Sequence, residues 1–184
     1  TPYATPNPIV FYGSSITAGG ATSRISNNYI SLLSRWLNAD YINYGFAGSA
    51  FGEIEMAEFL AEIKMSAFVI DYDHNAPTAE YLRITHEPFF RKFRSIQPNT
   101  PCLIMSRPNY SVGDDSFERR EMIRQTYENA KYGGDNNVYF IDGEKLFSNE
   151  ERHACIIDLC RPNDFGFIQM AKTICPVLKQ IIKS

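Results

Sequence analysis

Ile9-Val10-Phe11-Tyr12-Gly13-Ser14-Ser15-Ile16-Thr17-Ala18-Gly19-Gly20 decides how this chain is read. Its first four residues are β-branched or aromatic, the composition of a strand buried on both faces. The run stops at Gly13-Ser14-Ser15 and a helical pattern takes over. A parallel strand ending this way delivers a small polar residue to the carboxyl edge of a sheet, where α/β proteins place their chemistry. Ser15 can there attack an acyl carbon while nearby backbone N–H groups hold the oxyanion. The plainer use of Ser14 or Ser15 is to cap the helix that follows.

Outward from this stretch, short apolar runs alternate with helical patterns. Strands are expected at 9–12, 41–44, 67–70, 101–105 and 138–141. Helices are expected at 28–37, 53–64, 78–96, 116–130 and 165–182. In the 28–37 helix, Ile30, Leu33 and Leu37 recur at helical spacing, with Leu32 and Trp36 broadening the face. Pro88 should start a segment or kink the 78–96 helix. The alternation predicts a parallel sheet covered on both faces, built from residues 9–184 as one domain. Residues 1–8, with Pro2, Pro6 and Pro8, read as an extended lead-in or linker.

Bulk composition narrows the function. The 184 residues are 44% hydrophobic and 21% charged, ordinary for a globular domain, which removes disordered and fibrous classes. A net charge of −3 without a basic block argues against a nucleic-acid surface. No apolar run reaches bilayer length, so no membrane partner is expected. The chain reads as soluble, either cytoplasmic or exported after loss of a leader. The four cysteines are Cys102, Cys155, Cys160 and Cys175. Cys102 and Cys175 lie in apolar patterns and read as buried; Cys155 and Cys160 flank a polar loop and can clip it where conditions are oxidising. No metal-ligand spacing is present, and neither metal nor cofactor is expected.

The candidate functional residues sit after strands. Asn43-Tyr44-Gly45-Phe46-Ala47-Gly48-Ser49 follows the second, with glycines that serve a tight turn or let an N–H face a cleft. Asp71-Tyr72-Asp73-His74-Asn75 follows the third; it is either an Asx turn or the source of an amide donor. Tyr12, Phe46, Phe51, Tyr72, Tyr110 and the stretch Arg107-Pro108-Asn109-Tyr110 all fall near predicted strand ends and are candidates to line a pocket.

Taken in order, these blocks resemble the SGNH, or GDSL-like, hydrolase superfamily, in its esterase branch with a Gly-Ser-Ser-Ile-Thr-x-Gly-Gly opening. The resemblance runs from Ile9 to the last helix. It implies a flavodoxin-like three-layer α/β/α sandwich around a mostly parallel five-stranded sheet. It implies Ser15 as nucleophile, and Ser15 N–H, Gly48 N–H and the Asn75 side chain as oxyanion donors. The final block, Asp158 to Phe167, matches at Asp158, Pro162, Asn163, Asp164, Gly166 and Phe167. Where the family carries its catalytic histidine, this chain carries Arg161, and a guanidinium cannot accept the serine proton.

Three histidines remain as substitutes. His153 precedes Asp158 in the same loop and is the candidate base. His74 reads as a rim or substrate contact, because neighbours on a strand end point apart. His86 lies mid-helix and reads as surface or packing. The expected function is a serine esterase acting on small acyl esters, such as acetylated carbohydrate. The alternative is an impaired relative in which Asp158 and Arg161 pair, leaving a pocket for a carbohydrate or small anion.

Overall fold

The computed structural model describes residues 2–108, 115–158 and 160–182. Asn109 and Tyr110, named above as candidate lining residues, and Leu159 lie outside them. Five strands form one entirely parallel sheet in the order β2-β1-β3-β4-β5. They are β1 Ile9–Gly13, β2 Tyr41–Gly45, β3 Ala67–Asp71, β4 Cys102–Met105 and β5 Val138–Ile141. Each boundary lies within one residue of its expected place, because β-branched and aromatic runs bounded by Gly, Pro and polar residues leave little choice.

The helices are α1 Ser15–Ala18, α2 Tyr29–Leu37, α3 Ile54–Ala61, α4 Ala79–Ile96, α5 Ser116–Tyr132 and α6 Asp164–Ile181. Two apolar clusters sandwich the sheet. Phe11, Val69 and Leu103 pack with Leu33 of α2 and Phe167 of α6 on one face. Val10, Phe68 and Ile104 pack with Leu60, Phe89, Phe93 and Ile123 of α3, α4 and α5 on the other. The expected three layers are therefore present.

Some details differ from expectation. Trp36 does not widen the buried face of α2; it is 45% exposed, while Leu32 is buried. Pro88 neither starts nor ends a segment, and α4 runs through it. The carbonyl four residues earlier, which loses its N–H partner, belongs to the exposed Ile84, where water can replace it. Helix α3 stops at Ala61, short of Lys64. All four cysteines are free thiols, with Cys102 and Cys155 buried, Cys175 half-buried and Cys160 exposed. Among the described residues, no helix is long and apolar enough to cross a membrane.

The strand order reverses at β1, whose neighbours β2 and β3 lead to opposite faces. At this switch point the carboxyl ends are in register, with Gly13 opposite both Gly45 and Asp71. Such a crevice is where open α/β sheets bind ligands.

Candidate active site

The first wall of the crevice is α1. Ser14 is its N-cap, with the Ser14 hydroxyl accepting from Ile16 N–H at 3.1 Å. Of the two serines, it is Ser14 that caps the helix. Ser15 opens the helix and is half-buried. Among the described residues, neither its N–H nor its hydroxyl makes a hydrogen bond. One-turn helices are marginal alone, and this one is pressed onto the sheet by missing side chains. A Cβ on Gly13 would lie 2.1 Å from Thr17 Oγ1 and 2.2 Å from the Asp71 carbonyl oxygen. A Cβ on Gly45 would lie 2.3 Å from Ala18 N, so Gly45 serves close approach rather than positive φ. Gly48, by contrast, does have positive φ, +78°.

The second wall joins the β2 and β3 exits. Gly48 N–H donates to Asn75 Oδ1 at 3.3 Å, and Asn75 Nδ2 donates to the Phe46 carbonyl at 2.6 Å. These two bonds fix the amide orientation, since a flipped Asn75 would set donor against donor. Both expected oxyanion donors are therefore brought together. The Gly48 bond is at the long end of the range. Phe46 and Phe51 are half-buried nearby. Tyr12 and Tyr72 are not cleft residues; they are fully buried, Tyr12 hydroxyl accepting from Gly52 N–H at 3.0 Å.

Asn75 sits in a 3-10 turn, Asp73–Asn75, rather than on a strand extension. The turn is held from below. Buried Arg119 donates to the carbonyls of Asp73 and Ala76 at 3.1 and 3.0 Å and pairs with Asp73 Oδ1 at 3.4 Å. Arg107 N–H donates to Asp73 Oδ2 at 2.9 Å. Burial pushes the Asp73 carboxyl above its usual range, against the Arg107 N–H and the two arginines. Neither the Arg119 strut nor Asp73 was singled out in the sequence reading. An isolated arginine on a polar-looking helix carries no signal of burial.

The third wall is the loop before α6. Asp158 Oδ1 accepts from the N–H groups of Cys160 and Arg161, at 3.2 and 2.7 Å, and Asp158 Oδ2 accepts from Arg161 Nη1 at 2.5 Å. Chiefly through the Arg161 N–H, these contacts hold the Asp158 carboxyl below its usual range. The pair is surface-exposed, 48% for Arg161 and 39% for Asp158. Asp164 of α6 accepts from Ser23 N–H at 2.8 Å and Asn27 Nδ2 at 2.8 Å, tying the segment after α1 to this wall.

The histidines separate cleanly. His153 is exposed on the 3-10 turn Arg152–Cys155, and no hydrogen bond joins it to Ser15 or Asp158. The expected substitute base is therefore not hydrogen-bonded to Ser15 in this structure. His86 is buried, bonded to Thr126 at 2.8 Å and stacked on Tyr72; burial pushes it down to about 3, which makes it a neutral packing residue. His74 is the histidine at the crevice. Its Nδ1 lies 3.8 Å from Cys160 Sγ, against the loop that carries Arg161. Strand alternation does not govern its direction, because in a 3-10 turn successive side chains step by about 120°. Among the described residues, no cluster of side chains suits a metal ion.

A doubly wound α/β domain with a serine and two amide donors at its switch point is of the SGNH hydrolase type. The chain belongs to the GDSL-like Lipase/Acylhydrolase family, whose model matches residues 6–179. Its structure matches a GDSL-like protein from Bacteroides ovatus ATCC 8483 at a TM-score of 0.87 and 29% identity, over 100% of this chain and 55% of that one. A two-domain esterase active on acetylated mannans matches at 0.75 and 22% identity, over 97% and 50%. A family 3 carbohydrate esterase from Clostridium thermocellum matches at 0.75 and 14% identity, over 96% and 97%. At those identities the last two share the fold. The chain spans about half the length of the first two. No curated protein matches it.

Proposed function

We propose that this domain is a serine acyl-ester hydrolase with a preformed nucleophile and oxyanion site and a missing general base. The observation that carries this reading is the meeting of three chain segments at the switch point. Ser15 stands at the start of α1 with no competing hydrogen bond, and Gly48 and Asn75 are already joined across the crevice. In this reading Ser15 Oγ attacks the ester carbonyl. The developing oxyanion is received by Ser15 N–H, Gly48 N–H and the second Asn75 Nδ2 hydrogen. Arg161 does not take the serine proton; its guanidinium neutralises Asp158. The proton passes to water or to a histidine that reaches the crevice, and loss of a placed base lowers turnover by about a hundred to ten thousand-fold. Small acyl esters are the expected substrates, acetylated carbohydrate among them. Of the solved structures sharing the fold, one is an esterase active on acetylated mannans and another a carbohydrate esterase by name, which supports that choice.

A second reading is favoured by one observation. The Asp158–Arg161 pair is closed in the way a ligand-binding relative without turnover requires. Hydrolysis of p-nitrophenyl acetate by wild type and Ser15→Ala decides between them. The hydrolase reading expects slow turnover that Ser15→Ala removes. Turnover absent from both proteins, with saturable binding of an acetylated oligosaccharide, establishes the second reading.

A further inference from the structure

Beneath the nucleophile helix lies a buried carboxyl group that the chemistry above does not use. Asp71, the last residue of β3, is 3% exposed. Its Oδ2 accepts from Thr17 Oγ1 at 3.1 Å and from Tyr29 hydroxyl at 2.9 Å. Thr17 is two residues beyond Ser15 in α1, and Tyr29 is the first residue of α2. All three side chains are buried.

We infer that Asp71, Thr17 and Tyr29 are positioning residues: together they set where Ser15 stands relative to Asn75. The inference rests on Ser15 as the reacting group and extends that reading to what fixes its place. Four residues of helix cannot hold their own geometry, so α1 takes its orientation from what it touches. Its flank against β1 and β2 is close contact with Gly13 and Gly45, with Asn43 of β2 donating from Nδ2 to the Thr17 carbonyl at 2.9 Å. A directional bond to the neighbouring β3 is the Thr17–Asp71 hydrogen bond. Asp71 is also the residue from which the chain enters the Asp73–Asn75 turn. One carboxyl oxygen therefore ties the helix carrying the nucleophile to the strand carrying the oxyanion donor.

Tyr29 extends the linkage to the third wall. Its ring stacks on Phe167 of α6 at 6.2 Å and meets Phe11 of β1 edge-on at 5.9 Å. Phe167 lies just inside the helix whose entry follows the Asp158–Arg161 loop. The Tyr29 hydroxyl is a reliable donor, since burial and the neighbouring carboxyl hold it well above the usual phenol range. A purely apolar trio of the same volume would pack as well but would leave α1 without this directional tie to β3.

The test uses the whole chain and the variants Thr17→Val, Thr17→Ser, Tyr29→Phe and Asp71→Asn. Two readouts run side by side: p-nitrophenyl acetate kinetics, and amide hydrogen exchange of residues 14–20 against strands β1, β3 and β4. Thr17→Val removes the bond with little change of volume. It is expected to lower kcat at least tenfold with KM within twofold, and to raise exchange in residues 14–20 about tenfold while the strands stay protected. Asp71→Asn and Tyr29→Phe are expected to follow in the same direction, and Thr17→Ser, which keeps the hydroxyl, to stay within threefold of wild type. Unchanged kcat and exchange in Thr17→Val overturns the positioning role, as does a Thr17→Ser variant no better than Thr17→Val. Exchange that rises equally in the strands shows a merely structural role and also overturns it. If wild type proves inactive, the hydrolase reading fails while the exchange pattern still decides this one.

Discussion

Two halves of the crevice are built to different standards. On the side of β1 and β3, each functional residue rests on a buried polar contact: Thr17 on Asp71 beneath Ser15, and Arg119 on Asp73 beneath Asn75. On the side of α6, Asp158 and Arg161 meet each other in solvent. Buried polar groups tolerate one geometry, because any other leaves them desolvated without partners. Exposed pairs exchange with water at little cost. In the proposed reading, a fixed nucleophile and oxyanion site therefore faces a wall whose ionic pair contributes little to holding it in place.

The largest expected effects fall on the fixed half. Ser15→Ala should abolish hydrolysis while shifting the urea midpoint only slightly, because a half-buried serine at a helix start adds little packing. Residual turnover equal to wild type would remove Ser15 from the reaction. Asn75→Ala should lower kcat by about a hundred to a thousand-fold, the usual cost of an oxyanion donor, with KM little changed. Arg119→Met takes from buried Asp73 the arginine paired with its carboxylate and should cost about 3–5 kcal/mol in urea unfolding. A loss below 1 kcal/mol would show that the Asn75 turn does not depend on that strut.

The same comparison explains what the sequence could and could not say. Strands were legible because runs such as Val10-Phe11-Tyr12 and Phe68-Val69-Ile70 have one comfortable environment. Ser15, Gly48 and Asn75 were legible as strand-end residues in a recognisable order. Asp71 and Arg119 were not, because a charged letter gives no sign of being buried until the partner that satisfies it is placed beside it. Thr17 and Tyr29 lie 54 and 42 residues from Asp71. The direction of His74 was not legible, because a 3-10 turn and not a strand extension sets it.

A smaller effect distinguishes the halves by pH. Burial lifts Asp71 to about 7, against the lowering influence of Tyr29 and Thr17, with Asp73 adding to the rise. A carboxyl raised in the folded state stabilises when protonated, so its contribution is present near pH 4 and is lost as pH rises through 7. His86, held near 3, works in the opposite direction, losing stability as pH falls below about 6.5. The informative quantity is therefore the difference between wild type and Asp71→Asn at each pH. Wild type should lose ground to the variant between pH 5 and 8, and a difference constant across that range would show that Asp71 does not titrate there. Smallest of all, Asp158→Asn should change stability by about 1 kcal/mol or less, since its partner is exposed.

The measurement that tests the central claim most directly is p-nitrophenyl acetate turnover by Arg161→His, beside wild type, Arg161→His/Ser15→Ala and Arg161→His/Asp158→Asn. If the nucleophile and oxyanion donors are in place and lack only a base, Arg161→His should raise kcat at least tenfold. Each second substitution should cancel that gain, by removing the nucleophile or the carboxylate that orients the imidazole. No gain in Arg161→His, or a gain that survives Ser15→Ala, would contradict the account.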